Sequence, residues 1–151
     1  MAEATTKARL RCREIMTANV RTVAGDAPIS EVATLMKEGD VGSVPVVEGG
    51  KLVGIVTDRD IVVRAVAEGK GPETPVSTAM TTEIFSVTPE DFVFEAVRLM
   101  GEKQVRRIPV VNAEGALAGI IAMADIALEM EDEREIAETL EDISTGKAFW
   151  R

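Results

Sequence analysis

The chain has 151 residues, 46% of them hydrophobic, and this length suggests one domain or two small ones. It carries 17 Lys and Arg residues against 26 Asp and Glu residues, and the net charge of −9 argues against nucleic acid or an anionic membrane as partner. Histidine is absent, which removes histidine-based acid–base catalysis. The single cysteine, Cys12, rules out an internal disulfide and favours a cytoplasmic location.

The first predicted elements are a short strand and an amphipathic helix. Val20–Val23 is rich in β-branched residues, and Asp26 as N-cap with Pro28 near the first helical position predicts a helix start. Apolar residues at i, i+3, i+4 and i+7 predict one buried helix face, ending at Gly39 and formed by Ile29, Val32, Ala33 and Met36. A hairpin and a second helix follow, over Val44–Val47, Leu52–Val56 and from Asp58 onward.

The same pattern returns 64 residues later. Residues 16–47 align with residues 80–111 at 11 identities in 32 positions, and residues 52–61 align with residues 117–126 at 5 identities in 10. This copy is predicted to begin with the strand Ile84–Val87 and a helix capped by Thr88, with Pro89 near its start. The buried face of that helix is formed by Val93, Ala96, Val97 and Met100. The hairpin Ile108–Val111 with Leu117–Ile121 and a helix from Met123 follow. The duplication predicts an α/β (α+β) fold of two tandem β-α-β-β-α repeats, packed through their sheets with pseudo-two-fold symmetry.

The repeat pattern also predicts domain boundaries. Residues 13–67 form the first repeat and residues 80–128 the second, joined by a linker over residues 68–79 that is rich in Gly and Pro. Residues 1–12 are a leader, and residues 129–151 form an acidic C-terminal helix and tail. The acidity of the chain is concentrated near this end, because residues 126–145 hold eight acids and one base.

Three short motifs give the duplication a family resemblance. Met16-Thr17 and Met80-Thr81 open the two copies, and GIVTDRD (54–60) stands near the end of the first. With these motifs the chain resembles a pair of CBS domains, also called a Bateman module, over residues 13 to about 128. The resemblance implies a stand-alone regulator or sensor that binds AMP, ADP, ATP or a related adenosyl ligand between its repeats. It also implies a homodimer of modules, no obligatory cofactor and no catalysis.

The GIVTDRD motif carries the main predicted site. A helix N-terminus with the hydroxyl of Thr57 suits a phosphate, and Asp60, one turn on, suits two adjacent ribose hydroxyls. The resemblance implies these same two contacts. The alternative left open is that Thr57 is only an N-cap and Asp60 only a first-turn acid favoured by the helix dipole.

The resemblance adds further residues to this site. It implies that Arg106 and Arg107, just before Ile108-Pro109, reach the phosphates, for which guanidinium groups are well suited. The residues implied for the adenine slot are Ile55, Ile84 and Phe85. Solvated ion pairs for the arginines and a core position for Phe85 are the alternatives.

The second copy departs from the motif. Ala122 stands where the first copy has Thr57, so the hydroxyl contact is lost while Asp125 keeps the ribose contact. This second site is predicted to be empty, weaker, or tuned to a ligand with fewer phosphates. Its implied residues are Val20, Thr22, Ile120 and Asp125.

A second function stays open beside the nucleotide sensor. The chain would then be a protein-interaction adaptor with vestigial clefts, acting on an unidentified protein partner through its dimer faces or acidic C-terminal helix. An enzyme is less favoured, and no catalytic residue and no metal site is predicted, because no constellation of suitable residues stands in the sequence. Cys12, between Arg11 and Arg13, is interpreted as a spectator whose thiol pKa is lowered only if it is exposed.

Overall fold

The computed structural model describes residues 10–129, so the predicted acidic helix and tail beyond residue 129 lie outside the described residues. The elements in chain order are α1 (Cys12–Ile15), α2 (Ile29–Gly39), β1 (Ser43–Glu48), β2 (Lys51–Thr57), α3 (Asp58–Ile61), a π-helical turn (Val62–Val66), a 3-10 turn (Val76–Thr78), α4 (Val93–Lys103), β3 (Arg107–Val111), β4 (Leu117–Ala122) and α5 (Met123–Glu129). They form two compact units. The first-repeat unit comprises residues 21–84, and the second-repeat unit comprises the described residues of 1–20 and 85–151. The mixed fold of two tandem repeats is confirmed.

Each unit is built on one antiparallel hairpin, as the sequence predicts. In the first-repeat unit β1 pairs with β2, and in the second-repeat unit β3 pairs with β4. The apolar face of the long helix packs against the hairpin in each unit. The buried core side chains include Val32, Val44, Val46, Val56 and Val76 in the first, and Val97, Met100, Ile108, Val110 and Ile121 in the second. The predicted helix faces are buried except at Ala33, which is exposed.

The two predicted leading strands are reduced to single bridges. Val23 pairs in parallel with Val46, and Val87 pairs in parallel with Val110. The next bond of such a parallel ladder would require the backbone nitrogen at position 45 or 109 to donate, and both residues are proline. The predicted strands Val20–Val23 and Ile84–Val87 are therefore wrong in extent.

The predicted N-caps are also wrong. The residues that precede the first turns of α2 and α4 are Pro28 and Phe92, and neither supplies a side-chain cap. Backbone carbonyls from another segment take that role: Ile29 donates to Thr74 at 2.9 Å, and Val93 donates to Leu10 at 2.7 Å. Distant backbone thus satisfies the first amide group of each helix. Thr88 makes a reciprocal pair one step earlier, because its hydroxyl accepts from the amide of Asp91 at 3.2 Å and Oδ2 of Asp91 accepts from the amide of Thr88 at 2.8 Å, and this pair closes the turn that precedes α4.

Two short segments dock in equivalent positions on the two units. In the second-repeat unit the amide of Cys12 donates to the carbonyl of Asp91, and in the first-repeat unit the amide of Val76 donates to that of Ala27, both at 2.8 Å. All four residues obey the 64-residue offset of the repeat. Residues 10–15 thus complete the second-repeat unit, and the segment predicted as a linker contributes the buried side chains of Val76 and Ala79 to the first-repeat unit.

Candidate functional site

The end of β2 and the start of α3 bring Thr57 and Asp60 together. The hydroxyl of Thr57 accepts from the amide of Asp60 at 3.0 Å, and Oδ2 of Asp60 accepts from the amide of Thr57 at 3.0 Å. This reciprocal pair is a capping box, which satisfies two amides at the helix start. The hydroxyl proton of Thr57 remains available, because a threonine hydroxyl is a donor as well as an acceptor. The capping role and the ligand role of this pair are therefore compatible.

A third polar side chain, that of Thr81, reaches the same carboxylate. Its hydroxyl lies 3.2 Å from Oδ2 and 3.4 Å from Oδ1 of Asp60. Its backbone exchanges two hydrogen bonds with Ile55, at 2.8 and 2.9 Å. Gly54 permits this close approach, since a Cβ there would lie 2.5 Å from Sδ of Met80. The Met-Thr motif that opens the second copy in the sequence is thus built onto the first-repeat unit.

The two oxygens of the Asp60 carboxylate are not equally occupied. Oδ2 accepts from the Thr57 amide and lies nearer to the Thr81 hydroxyl, whereas Oδ1 has only the longer Thr81 contact and an ion pair with Nε of Arg64 at 3.9 Å. A separation of 3.9 Å is too long for a hydrogen bond. Oδ1 therefore keeps acceptor capacity for a ligand hydroxyl, although the side chain as a whole is only 12% exposed.

The second-repeat unit repeats the scaffold without the hydroxyl cap. Oδ2 of Asp125 accepts from the amide of Ala122 at 3.2 Å, which is one half of a capping box. Thr17 and Ile120 exchange backbone hydrogen bonds at 2.9 and 3.0 Å, as Thr81 and Ile55 do. The alanine at position 122 removes the second half of the box, and with it the hydroxyl predicted to contact phosphate.

The predicted site residues are divided between the two units. The first-repeat unit holds Ile55, Thr57, Asp60 and Ile84, and the first three belong to one connected cluster with Thr81. Ile84 is half-buried. Thr22, predicted for the weaker site, also lies in this unit and is exposed.

The remaining predicted residues lie in the second-repeat unit. Phe85 stacks under the ammonium of Lys103, whose Nζ is 4.6 Å from the ring centroid. Arg106 and Arg107 have exposed side chains at the start of β3; the carbonyl of Arg106 accepts from the amide of Met123, and Arg107 pairs with Ala122. Val20, Ile120 and Asp125 complete the group and are half-buried. The convergence of the two arginines and Phe85 with Thr57 and Asp60 stays a prediction.

Sequence reasoning missed two residues of the Asp60 cluster, Thr81 and Arg64. In the sequence the Met80-Thr81 pair is only a repeat marker, and the docking of that segment onto β2 reveals the contact of the Thr81 side chain with Asp60. Arg64 stands four residues after Asp60, a spacing at which opposite charges meet on a helix. This four-residue spacing is the feature of the sequence from which the contact between Arg64 and Asp60 could be predicted.

Cys12 is buried in the core of the second-repeat unit, not exposed in a leader. Its side chain has no solvent exposure, and removal from water together with the nearby carboxylates of Asp91 and Glu95 raises the pKa of the thiol from 9.0 to about 12. The neighbouring arginines do not lower it, because Arg11 and Arg13 are turned to Glu90. A neutral, inaccessible thiol is unsuited to redox chemistry at physiological pH.

The described part of the chain contains neither a cluster of metal-ligating side chains nor a membrane-spanning helix. Over residues 10–129, no group of three or more His, Cys, Asp or Glu side chains is placed to hold a metal ion. No helix within the same residues is long and apolar enough to cross a membrane.

Comparison with known proteins yields one family. The CBS domain model matches residues 12–66 and again residues 76–132. A curated relative, the CBS domain-containing protein YhcV of Bacillus subtilis, is 41% identical over 132 residues, which cover 87% of this chain and 94% of the relative.

Two solved structures share the fold and differ in what they contain. Hypoxic Response Protein I, solved with two coordinated zinc ions, is 35% identical with a TM-score of 0.74, over 80% of this chain and 99% of that one. CBSX2, solved in complex with AMP, is 28% identical with a TM-score of 0.70, over 78% of this chain and 93% of that one.

Proposed function

The chain belongs to the CBS-domain family, and from that premise we propose that it is a non-catalytic regulatory module that binds an adenine nucleotide such as AMP, ADP or ATP. The observation that carries the proposal is the cluster of Thr57, Asp60 and Thr81 in the first-repeat unit. It presents a hydroxyl donor and a fixed, partly occupied carboxylate side by side. A similar protein, CBSX2, has been solved with AMP, which supports the same class of ligand here.

The proposed contacts follow from the acceptor capacity of the cluster. Oδ1 of Asp60 accepts from the ribose hydroxyls, and the Thr57 hydroxyl donates to a phosphate oxygen. Ile55 and Ile84 contribute apolar surface to the adenine ring. The roles of Phe85 in lining the adenine slot and of Arg106 and Arg107 in phosphate binding are carried over from the family resemblance.

The second half-site is proposed to bind more weakly. Asp125 keeps one ribose acceptor, but Ala122 offers no hydroxyl to a phosphate. Val20, Thr22 and Ile120 are the counterparts of the ring-binding residues. A nucleotide with a single phosphate, or none, suits this half-site better than a triphosphate does.

The adaptor function is the second candidate, and one surface feature favours it. Val62, Val63 and Val66, on the π-helical turn of the first-repeat unit, are 57%, 44% and 62% exposed. Exposed apolar groups of this kind mark surfaces that meet another protein, either a second copy of the chain in a homodimer or an unidentified partner. Sedimentation equilibrium of the full chain distinguishes the homodimer from a monomer.

A cytoplasmic location is also part of the proposal and rests on the single cysteine.

The nucleotide proposal is tested by calorimetric titration of the full chain with AMP, ADP and ATP. Asp60→Asn keeps an oxygen for the capping box but removes the charge, and it is expected to weaken AMP binding by about 30-fold, the effect of losing hydrogen bonds to a charged acceptor. Asp125→Asn is the matched variant in the second-repeat unit and is expected to change the tightest binding event by less than about twofold. Bound nucleotide should also raise Tm by mass action.

Two results would contradict the proposal. One is the absence of heat and of any Tm shift with all three nucleotides at millimolar concentration. The other is equal binding by the wild type and Asp60→Asn, which would place the ligand elsewhere and favour the adaptor function.

A further inference from the structure

Arg64 connects the proposed ribose acceptor to the strand-like segment that carries Thr81. Its Nε pairs with Oδ1 of Asp60 at 3.9 Å, while its Nη1 donates to the carbonyl oxygens of Met80 at 3.0 Å and Ala79 at 3.4 Å. Arg64 lies on the π-helical turn that follows α3, where the amide of Ala67 donates to the carbonyl of Val62. Such widened turns are concentrated at functional sites.

The Arg64 guanidinium contacts both the backbone of the segment that carries Thr81 and the carboxylate of Asp60. Its contacts with the carbonyls of Ala79 and Met80 hold the segment whose next residue, Thr81, donates to Asp60. Its charge compensates a carboxylate that is 12% exposed, while the arginine itself is 50% exposed. Because the Nε distance is too long for a hydrogen bond, Arg64 itself takes up no lone pair of Oδ1, whose other contact is the Thr81 hydroxyl at 3.4 Å. The pairing therefore orients the carboxylate without competing for the position that a ribose hydroxyl needs.

In the second repeat an acidic residue stands at the position equivalent to Arg64. At the offset of 65 that relates the two GIVTDRD-like motifs, the residue corresponding to Arg64 is Glu129, which lies on α5 and has an exposed side chain. Asp125 is thus followed at i+4 by a second acid, an arrangement that is repulsive where Asp60 and Arg64 attract. The two half-sites therefore differ in charge as well as in the hydroxyl at position 57 or 122.

We propose that Arg64 is a positioning residue of the nucleotide site, which acts through Asp60 to hold the ribose acceptor in place and whose replacement by Glu129 weakens the second half-site. The inference rests on the proposed function. It predicts that the contribution of Arg64 to affinity passes through the ribose hydroxyls of the ligand. A residue that only maintained the fold would affect all adenine nucleotides alike.

The test compares two ligands on the full chain by titration calorimetry, AMP and 2′,3′-dideoxy-AMP, which lacks both ribose hydroxyls. Arg64→Ala is expected to weaken AMP binding by about tenfold, the usual effect of disturbing a hydrogen-bonded charge, and to change dideoxy-AMP binding by less than about twofold. Arg64→Lys keeps the charge and should recover most of the AMP affinity. Arg59→Ala, a neighbouring variant on α3 with the same loss of charge and an exposed side chain, is the matched control and should bind AMP as the wild type does.

Each outcome decides the inference. An equal loss for AMP and dideoxy-AMP would reduce Arg64 to a structural role, and unchanged AMP binding in Arg64→Ala would overturn the inference while the proposed function stands. A wild type that binds no adenine nucleotide would contradict the proposed function itself. If Arg64→Ala fails to fold, Arg64→Gln preserves donors for the two carbonyls without the charge, and it must show the same ligand-dependent loss.

Discussion

The two units share a framework far more closely than they share a site. Their hairpins keep equivalent registers, with Ser43 opposite Thr57 and Arg107 opposite Ala122, and each carries an irregularity at the same step, after Val46 and after Val110. The side chains around the two aspartates differ instead, in the hydroxyl cap, in the i+4 charge and in the residues that open β1 and β3. Packing therefore constrains the scaffold on both sides, whereas only the first-repeat unit retains a complete cluster around its acid.

The glycines that lie against the two Met-Thr segments, Gly54 and Gly119, are expected to give the largest difference in stability between the two units. A Cβ at Gly119 would lie 2.6 Å from the backbone oxygen of Thr17, while one at Gly54 would first meet the flexible Sδ of Met80, also too close at 2.5 Å. A backbone atom cannot move aside as a methionine end can. We expect Gly119→Ala to lower the free energy of unfolding by about 3 kcal/mol and Gly54→Ala by about 1 kcal/mol, as measured by urea unfolding.

Gly71→Ala serves as the control for this pair, because nothing lies within 4 Å of its Cβ position. It should change the free energy of unfolding by less than about 0.5 kcal/mol. A Gly54→Ala variant as unstable as Gly119→Ala would show that Met80 is held as rigidly as backbone. The two docked segments would then be equivalent in packing as well as in hydrogen bonding.

The sequence predicted the elements that have a strong local pattern. Both hairpins, the long helices with their buried faces and the helix starts at Asp58 and Met123 are present as predicted, because alternation and periodicity are properties of the chain itself. The cluster of Thr57 and Asp60 was also predictable, since the two residues lie one helical turn apart.

The features that escaped prediction depend on contacts between distant segments. The segment around Cys12 and the segment around Val76 dock alike, yet residues 10–15 and 74–79 share no identical residue at the 64-residue offset. Their buried side chains and backbone hydrogen bonds are equivalent although their sequences differ, so sequence comparison does not detect the repeat in these two segments. For the same reason the contacts of Asp60 with Thr81 could not be read from the sequence, because 21 residues separate them.

Cys12 and Val76 stand at equivalent positions of the two units, and only the thiol can make stability depend on pH. Burial raises the pKa of the Cys12 thiol to about 12, so between pH 9 and that value the unfolded chain loses a proton that the folded chain keeps. The stability contributed by the neutral thiol is thus complete below pH 9 and decreases as pH rises. Relative to Cys12→Val, which installs the residue of the other unit, the wild type should lose about 1.4 kcal/mol per pH unit above pH 9.

Urea unfolding of both proteins at several pH values between 8 and 10.5 measures this difference. Val76→Cys, made in the first-repeat unit, should acquire a pH dependence of the same sign but smaller size, because Ala27 stands there in the place of Asp91. Parallel stability curves for the wild type and Cys12→Val would mean that the thiol is accessible to water, contrary to its buried position.

The two substitutions Thr57→Ala and Ala122→Thr are expected to change the free energy of unfolding least. Thr57→Ala removes the acceptor of the Asp60 amide and should lower the free energy of unfolding by about 1 kcal/mol, the usual cost of a lost N-cap. Ala122→Thr should raise it by a similar amount, because the amide of Ala122 already donates to Asp125 and the new hydroxyl completes the box. Urea unfolding measures both, with Thr57→Ser as the control that keeps the hydroxyl.

If Ala122→Thr is neutral or destabilising, the backbone at that half-site differs from its counterpart. If it stabilises the fold and strengthens a second AMP binding event, the missing hydroxyl group is one source of the asymmetry between the two half-sites, beside the charge reversal at Glu129.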